Sequence, residues 1–245
     1  MLLKLASLFF IGSVAGWVLE VFFRRFFSRA NPEHKWINPG FCTGPYVPLY
    51  GFGLCILYGI ALLEDLNWIE DPAWNQVALF AVMAVCMTAI EYVAGIFLLK
   101  VEKIRLWDYS REWGNLQGII CPKFSFFWAV LGAIYYFLIH PYILSAIDWL
   151  SRNLAFSFVI GMFFGIFVLD VAHSMQLMVK LKRFAEENDV VVRFENIKTD
   201  IRSRVDLRAE KYHFFRPFHS ERSLAESLKE MTDTFERRIR KTRRP

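Results

Sequence analysis

The chain has 245 residues, of which 55% are hydrophobic and 17% aromatic, a composition that excludes an ordinary water-soluble domain. Its 4 cysteines include no CxxC pair and its 5 histidines have no metal-binding spacing, so we expect no disulfide framework, no metal and no cofactor. The net charge of +5 comes from the end of the chain, where residues 180–245 hold 18 Lys/Arg and 12 Asp/Glu. We therefore predict two domains, a transmembrane helical domain over residues 1–179 and a basic tail over residues 180–245.

Five apolar stretches are long enough to cross a hydrocarbon core of about 30 Å, which takes about 20 residues as a helix. They cover residues 2–23, 47–63, 76–99, 119–138 and 154–179. The first stretch has no small-x-small cleavage site and ends in two arginines, so we interpret it as a span and not as a secretory signal. The predicted fold class is all-α, a polytopic membrane protein with about five transmembrane helices.

Lys and Arg follow the first and third spans, whereas the segment after the second span carries only acidic charge. Because cytoplasmic segments are enriched in Lys and Arg, this pattern predicts an N-terminus outside and a C-terminus in the cytoplasm.

The tail contains an apolar stripe at helical spacing. Its members are Leu224, Leu228, Met231, Phe235 and Ile239. The stripe predicts a helical tail that packs on itself or on a second copy of the chain. The terminal RRIRKTRRP favours contact with membrane lipids, since each basic residue near an anionic leaflet contributes about 1 kcal/mol. Charge alone gives weak support for a nucleic-acid partner, and we expect none.

Ionisable groups lie within the apolar spans, where each costs a few kcal/mol and usually faces protein or water. Glu20, Glu91, Asp170 and Lys123 all fall within roughly 15 Å of the expected cytoplasmic boundary, at 1.5 Å per helical residue. This common depth predicts a polar pocket open to the cytoplasm. The alternative is that the carboxylates are interhelical ties, which we favour for Asp170 and for His173 beside it.

Two loops flank this pocket. Residues 37–53, INPGFCTGPYVPLYGFG, combine proline and glycine with almost no charge, which predicts a re-entrant segment or, alternatively, a tight turn before a broken helix start. Residues 106–118, LWDYSREWGNLQG, contain Trp and Tyr that are ordinary membrane anchors. Asp108 and Asn115 are not explained by anchoring and are candidate partners for a polar solute or for Lys123.

The motifs GWVLEV, NPGFCTGPYVPLYGFG, EYVAGIFL, WDYS and GNLQGIICPKFSFFWAVLG occur in this order over about residues 8–135. Together they resemble the bacterial membrane family called putative ABC-transporter type IV, or CmpB-like permeases. The resemblance implies a permease-like subunit in the bacterial cytoplasmic membrane. Its motif positions are Glu20, Asn38, Pro45, Tyr50, Gly51, Glu91, Trp107, Asp108, Tyr109, Asn115 and Gly118.

The leading hypothesis is a permease-like transport component for a small or amphiphilic solute. The predicted substrate-binding residues are Glu20, Asn38, Tyr50, Glu91, Trp107, Asp108, Tyr109 and Asn115, and no catalytic residue is assigned. The sequence has no Gly-rich phosphate loop, so ATP-driven transport would need a separate ATPase subunit, and five spans favour a homodimer. The alternatives are a membrane-embedded enzyme acting on a lipid or isoprenoid, and a non-catalytic scaffold or regulator.

Overall fold

The computed structural model describes residues 2–28, 31–66, 68–153, 155–187 and 191–194, and these residues are mostly helical. The helices are α1 (Leu2–Phe26), α2 (Pro48–Ala61), α3 (Pro72–Lys100), α4 (Pro122–Ala133), α5 (His140–Arg152) and α6 (Ala155–Glu187). A 3₁₀ turn (Leu62–Leu66) extends α2, a π-helical segment (Ile134–Ile139) joins α4 to α5, and two short strands are β1 (Ile104–Arg105) and β2 (Val192–Arg193). The apolar stripe predicted in the tail lies outside the described residues.

The all-α membrane fold is confirmed. Within the described residues, four helical stretches are long and apolar enough to span a membrane, namely Leu2–Phe26, Pro72–Lys100, Pro122–Leu150 and Ala155–Glu187. The stretch predicted as the second span is a shorter apolar helix, Pro48–Glu64. Helix α6 continues without a break through residue 180, where the sequence predicts the tail to begin.

Proline lies in the first turn of four described helices, and at three of them it follows a residue with extended backbone. Pro48, Pro72 and Pro122 each occupy the first turn of a helix, where the missing backbone N–H costs nothing because that group has no intrahelical partner. Asp71 also caps α3, since its carboxylate accepts from the backbone N–H of Ala73 at 2.8 Å.

Helices α1 and α2 approach closely through glycine. A methyl group added at Gly12 would lie 2.8 Å from the Tyr50 carbonyl oxygen, and one at Gly16 would collide with the Tyr50 ring. The backbone N–H of Val47 donates to the Ser13 carbonyl at 2.9 Å, so α2 begins halfway along α1. The loop before α2 therefore reaches that depth along α1.

The loop between α3 and α4 also folds back along the bundle. Gly95 leaves room for Ile119, since a methyl group added at Gly95 would collide with the Ile119 side chain. The Trp107 indole N–H donates to the Ile119 carbonyl at 2.8 Å, and Gly118 adopts a positive φ of 69° that favours glycine. These contacts hold residues 106–120 against α3, short of its end at Lys100.

The end of the bundle that carries Arg24, Lys100 and Lys182 is called the basic end here. At this end β1 pairs in parallel with β2, and both pack on the last turns of α6. The fully buried side chains at this junction are Ile104, Leu181 and Val192. The basic end is thus a small apolar core that joins the α3–α4 loop to α6.

We expect Gly16→Leu to lower the free energy of unfolding by about 1–3 kcal/mol or to prevent folding, because the new side chain overlaps Tyr50. Thermal unfolding of the detergent-purified protein measures the change. Ala15→Leu is the matched control, since Ala15 is the exposed neighbour on the same helix. Equal stability of the two variants would contradict the close approach of α1 and α2.

Candidate functional site

Glu91 is a buried carboxylate in the middle of the bundle, with only 3% of its surface exposed. Its two oxygens have different partners. Oε2 accepts from the Trp128 indole N–H at 2.9 Å, and Oε1 accepts from the Tyr109 hydroxyl at 3.1 Å. Among the described residues these donors are neutral, so the carboxylate is hydrogen-bonded without forming an ion pair there.

Glu20 lies on α1 and is partly buried. Its Oε2 accepts from Arg24 Nε at 3.0 Å, one helical turn away, and its Oε1 accepts from the Tyr50 hydroxyl at 3.1 Å. The glycine contacts between α1 and α2 place Tyr50 here, since Tyr50 packs over Gly12 and Gly16. The packing of the two helices therefore also determines the partner of Glu20.

The two carboxylates belong to one connected group. The rings of Tyr50 and Trp128 are in contact, with centroids 5.0 Å apart. The Tyr50 hydroxyl donates to Glu20 and the Trp128 indole N–H donates to Glu91. Burial and then the charges of Glu91 and Glu20 raise the pKa of the Tyr109 phenol in the α3–α4 loop. The group is called the glutamate cluster, and its members are Glu20, Arg24, Tyr50, Glu91, Tyr109 and Trp128.

Four of the eight predicted site residues thus lie in the glutamate cluster, and the other four do not. Asn38 is buried and accepts from the Trp17 indole N–H at 2.6 Å while donating to the carbonyls of Cys42 and Thr43. This set of bonds holds the loop before α2 against α1. In this structure Asn38 therefore shapes the loop before α2, beside the cluster.

Trp107, Asp108 and Asn115 build the α3–α4 loop. Asn115 donates to the Glu112 carbonyl at 2.9 Å and accepts from the Gly118 N–H at 2.9 Å. Lys123, proposed from the sequence as a partner for these polar groups, lies 3.5 Å from Glu112. Trp107 closes the loop base through its bond to Ile119.

Asp108 forms ion pairs with two arginines, Arg105 in that loop and Arg193 after α6. Its carboxylate accepts from Arg105 at 2.7 Å and from the Ser110 hydroxyl at 2.5 Å, and it lies 3.1 Å from Arg193. Burial raises the pKa of Asp108, but the hydrogen bonds from Ser110 and Arg105 and the charge of Arg193 outweigh it and hold the pKa below its usual value.

Asp170 on α6 has a separate set of partners in the loop before α2. Its carboxylate accepts from the backbone N–H groups of Thr43 at 3.0 Å and Gly44 at 2.8 Å, and from the hydroxyls of Thr43 and Tyr46. His173, one turn away, is exposed. These contacts are consistent with the expectation that Asp170 is a structural tie. Among the described residues, none of these hydrogen-bond partners of Asp170 also donates to Glu20 or Glu91.

Between Glu20 and Glu91 the rings of Tyr50 and Trp128 are in contact. A groove of about 470 Å³ is lined by Thr88 and Tyr92 of α3, Leu116 and Ile120 of the α3–α4 loop and Ser125 of α4. Among the described residues, no group of three or more His, Cys, Asp or Glu is placed to hold a metal ion.

Sequence reasoning missed Trp128 and Arg24 as members of the cluster. Trp128 lies in an apolar helix, where an indole is ordinarily a core residue. The only available signal was spacing, since Arg24 follows Glu20 at i+4 and favours an ion pair on a helix.

A family model described as "Putative ABC-transporter type IV" matches residues 7–175, which is 169 of the 245 residues. The chain belongs to this family. The matched range contains the whole glutamate cluster and Asp170, and it ends before β2. The comparisons with curated proteins and with solved structures found no match. The chain is therefore a helical membrane protein of a transport-related family.

Asp170→Asn is expected to reduce the free energy of unfolding by about 1–3 kcal/mol, because the new amide turns a donor toward the N–H groups of Thr43 and Gly44. Thermal unfolding in detergent is the measurement. His173→Ala, at an exposed position on the same helix, serves as the control and should change stability little. An Asp170→Asn protein as stable as the wild type would show that the tie is unimportant for the fold.

Proposed function

We propose that this chain is a permease-like transport component for a small or amphiphilic solute, with the glutamate cluster as its binding or proton-coupling site. The proposal places the protein in the bacterial cytoplasmic membrane with its basic end in the cytoplasm. Family membership supports the transport class, and the concentration of Lys and Arg at one end supports the orientation.

The observation that carries the proposal is the environment of Glu91. A carboxylate inside a membrane-spanning helix is costly to place there, so such groups usually mark a pathway or a binding site. Glu91 is 3% exposed and receives only neutral donors from the described residues around it. A proton, or the cationic group of a solute, would supply the positive charge that these donors lack.

The aromatic side chains of the cluster favour a solute with an apolar part. Tyr50, Tyr109 and Trp128 each donate a hydrogen bond to one of the two carboxylates. Their rings bring apolar surface next to these carboxylates, and aromatic rings also attract cations. Because the rings of Tyr50 and Trp128 are in contact, a solute larger than water would have to separate them. We therefore expect binding to be coupled to movement of α2 against α4.

Two partners follow from the transport proposal. The sequence carries no Gly-rich phosphate loop, so an ATP-driven mechanism requires a separate ATPase subunit that binds the basic end. The described residues form four long apolar helices and one short one, which are few for a complete pathway, and a homodimer would supply the remainder.

The test uses Glu20→Gln and Glu91→Gln, which remove each negative charge with little change in shape. Native mass spectrometry of the purified protein, incubated with a small-molecule and lipid extract of the host cells, identifies what the wild type retains. Each variant should bind that molecule about tenfold to a hundredfold more weakly, since a hydrogen bond to a charged group contributes about 1.5–3 kcal/mol. Uptake of the same molecule into proteoliposomes should fall in parallel.

Glu187→Gln is the control, because it removes one exposed carboxylate at the basic end of α6. Retained binding and uptake in both cluster variants, with Glu187→Gln unchanged, would contradict the assigned site. A retained lipid that returns chemically altered would instead identify the protein as an enzyme.

A further inference from the structure

Arg193 belongs to a segment that docks on the loop next to the glutamate cluster. Residues 192 and 193 form β2, and β2 pairs in parallel with Ile104 and Arg105. The Val192 N–H donates to the Lys103 carbonyl at 3.1 Å. This pairing lies at the start of the same loop that carries Tyr109 to Glu91.

The docking is made by apolar burial as well as by backbone pairing. Val192 and Ile104 are fully buried, and Phe194 is 2% exposed. They pack with Leu181 and Ala185 of α6. Two of these side chains, Val192 and Phe194, come after α6 in the chain, so residues 191–194 lie against both the α3–α4 loop and the end of α6.

The charge contact extends this docking toward Tyr109. Arg193 lies 3.1 Å from Asp108 Oδ2, while Arg105 holds Oδ1 of the same carboxylate at 2.7 Å. Asp108 immediately precedes Tyr109, whose ring stacks on Phe124 with centroids 4.2 Å apart. Because the two residues are adjacent, a movement of Asp108 also moves the backbone that holds the Tyr109 hydroxyl on Glu91.

The docked segment is also outside the part of the chain that the family model matches, which ends at residue 175. The loop it docks on and the glutamate cluster are both inside that part. The contact is thus made by residues outside the matched range onto a loop inside it, and that loop touches the site through Tyr109.

We infer that Arg193 and β2 position Tyr109 over Glu91 and so set how accessible Glu91 is from the basic end. With β2 docked, Tyr109 covers the Oε1 side of Glu91. When β2 leaves, the loop loses a strand partner and one of the two arginines at Asp108, and Tyr109 is free to withdraw. The inference rests on the proposed function only in treating Glu91 as the site.

The test compares Arg193→Glu with the wild type in the full chain, purified in detergent. The new carboxylate repels Asp108, and the Arg193 side chain is 56% exposed, so the fold itself should tolerate the change. Hydrogen exchange of residues 106–118 should become about three- to tenfold faster, the size expected for losing a solvent-exposed ion pair and adding a like-charge contact. Labelling of Glu91 by a water-soluble carbodiimide with an amine, mapped by mass spectrometry, should rise by a similar factor.

Two further variants control the result. Arg183→Glu makes the same charge change at an exposed position of α6 and should alter neither readout. Arg193→Lys keeps the positive charge and should restore both toward wild type. If Arg193→Glu does not unfold cooperatively, Arg193→Gln replaces it, because it removes the charge without adding repulsion.

Unchanged exchange of residues 106–118 in Arg193→Glu would overturn the positioning role. Faster exchange with unchanged labelling of Glu91 would overturn the control of access. Neither readout involves transport, so a failure of the proposed function would leave both expected results in place.

Discussion

The structure depends on how one carboxylate is kept inside a membrane-spanning bundle. Glu91 has neutral donors on both oxygens, and these come from two different parts of the chain, the helix α4 and the loop before it. A buried carboxylate left without donors would be strongly unfavourable. The α3–α4 loop must therefore fold back into the bundle far enough for Tyr109 to reach Glu91, and α4 must present Trp128 to the same point.

The same constraint explains the irregular segments at the basic end. Backbone that leaves a helix inside a membrane needs partners for its N–H and C=O groups, and here neighbouring helices and indoles supply them. The Val47 N–H donates to the Ser13 carbonyl, the Trp107 indole donates to the Ile119 carbonyl, and the Asn38 amide donates to the carbonyls of Cys42 and Thr43. Gly95 makes the space in which the α3–α4 loop lies, and Gly12 and Gly16 make the space for α2 beside α1. The main role of the proline, glycine, asparagine and tryptophan residues in the two loops is thus structural. They allow non-helical backbone to fit within the bundle with its polar groups hydrogen-bonded.

This explains which parts of the site the sequence predicted. Glu20 and Glu91 were identifiable because a carboxylate in an apolar run is rare and costly, an argument that holds without a structure. Asn38 and Asn115 carry the same residue type that a solute site would use, but in this structure both bind loop backbone. Sequence spacing cannot separate these two uses, since each requires an amide beside the spans. Trp128 has the opposite difficulty, because its polar N–H is hidden in a side chain that is ordinarily part of an apolar core.

The two donors to Glu91 differ in what they can do when its charge changes. An indole N–H only donates, whereas a phenol hydroxyl both donates and accepts. Trp128 must therefore always face an unprotonated oxygen, which is Oε2, while Tyr109 can reverse its hydroxyl and accept from a proton carried on Oε1. The cluster can thus hold Glu91 in either protonation state without moving a helix, and the proton belongs on the side that the α3–α4 loop covers. Under the proposed function, a proton or a cationic group that approached Glu91 through the α3–α4 loop would meet Tyr109 first, and the position of that loop would control the exchange.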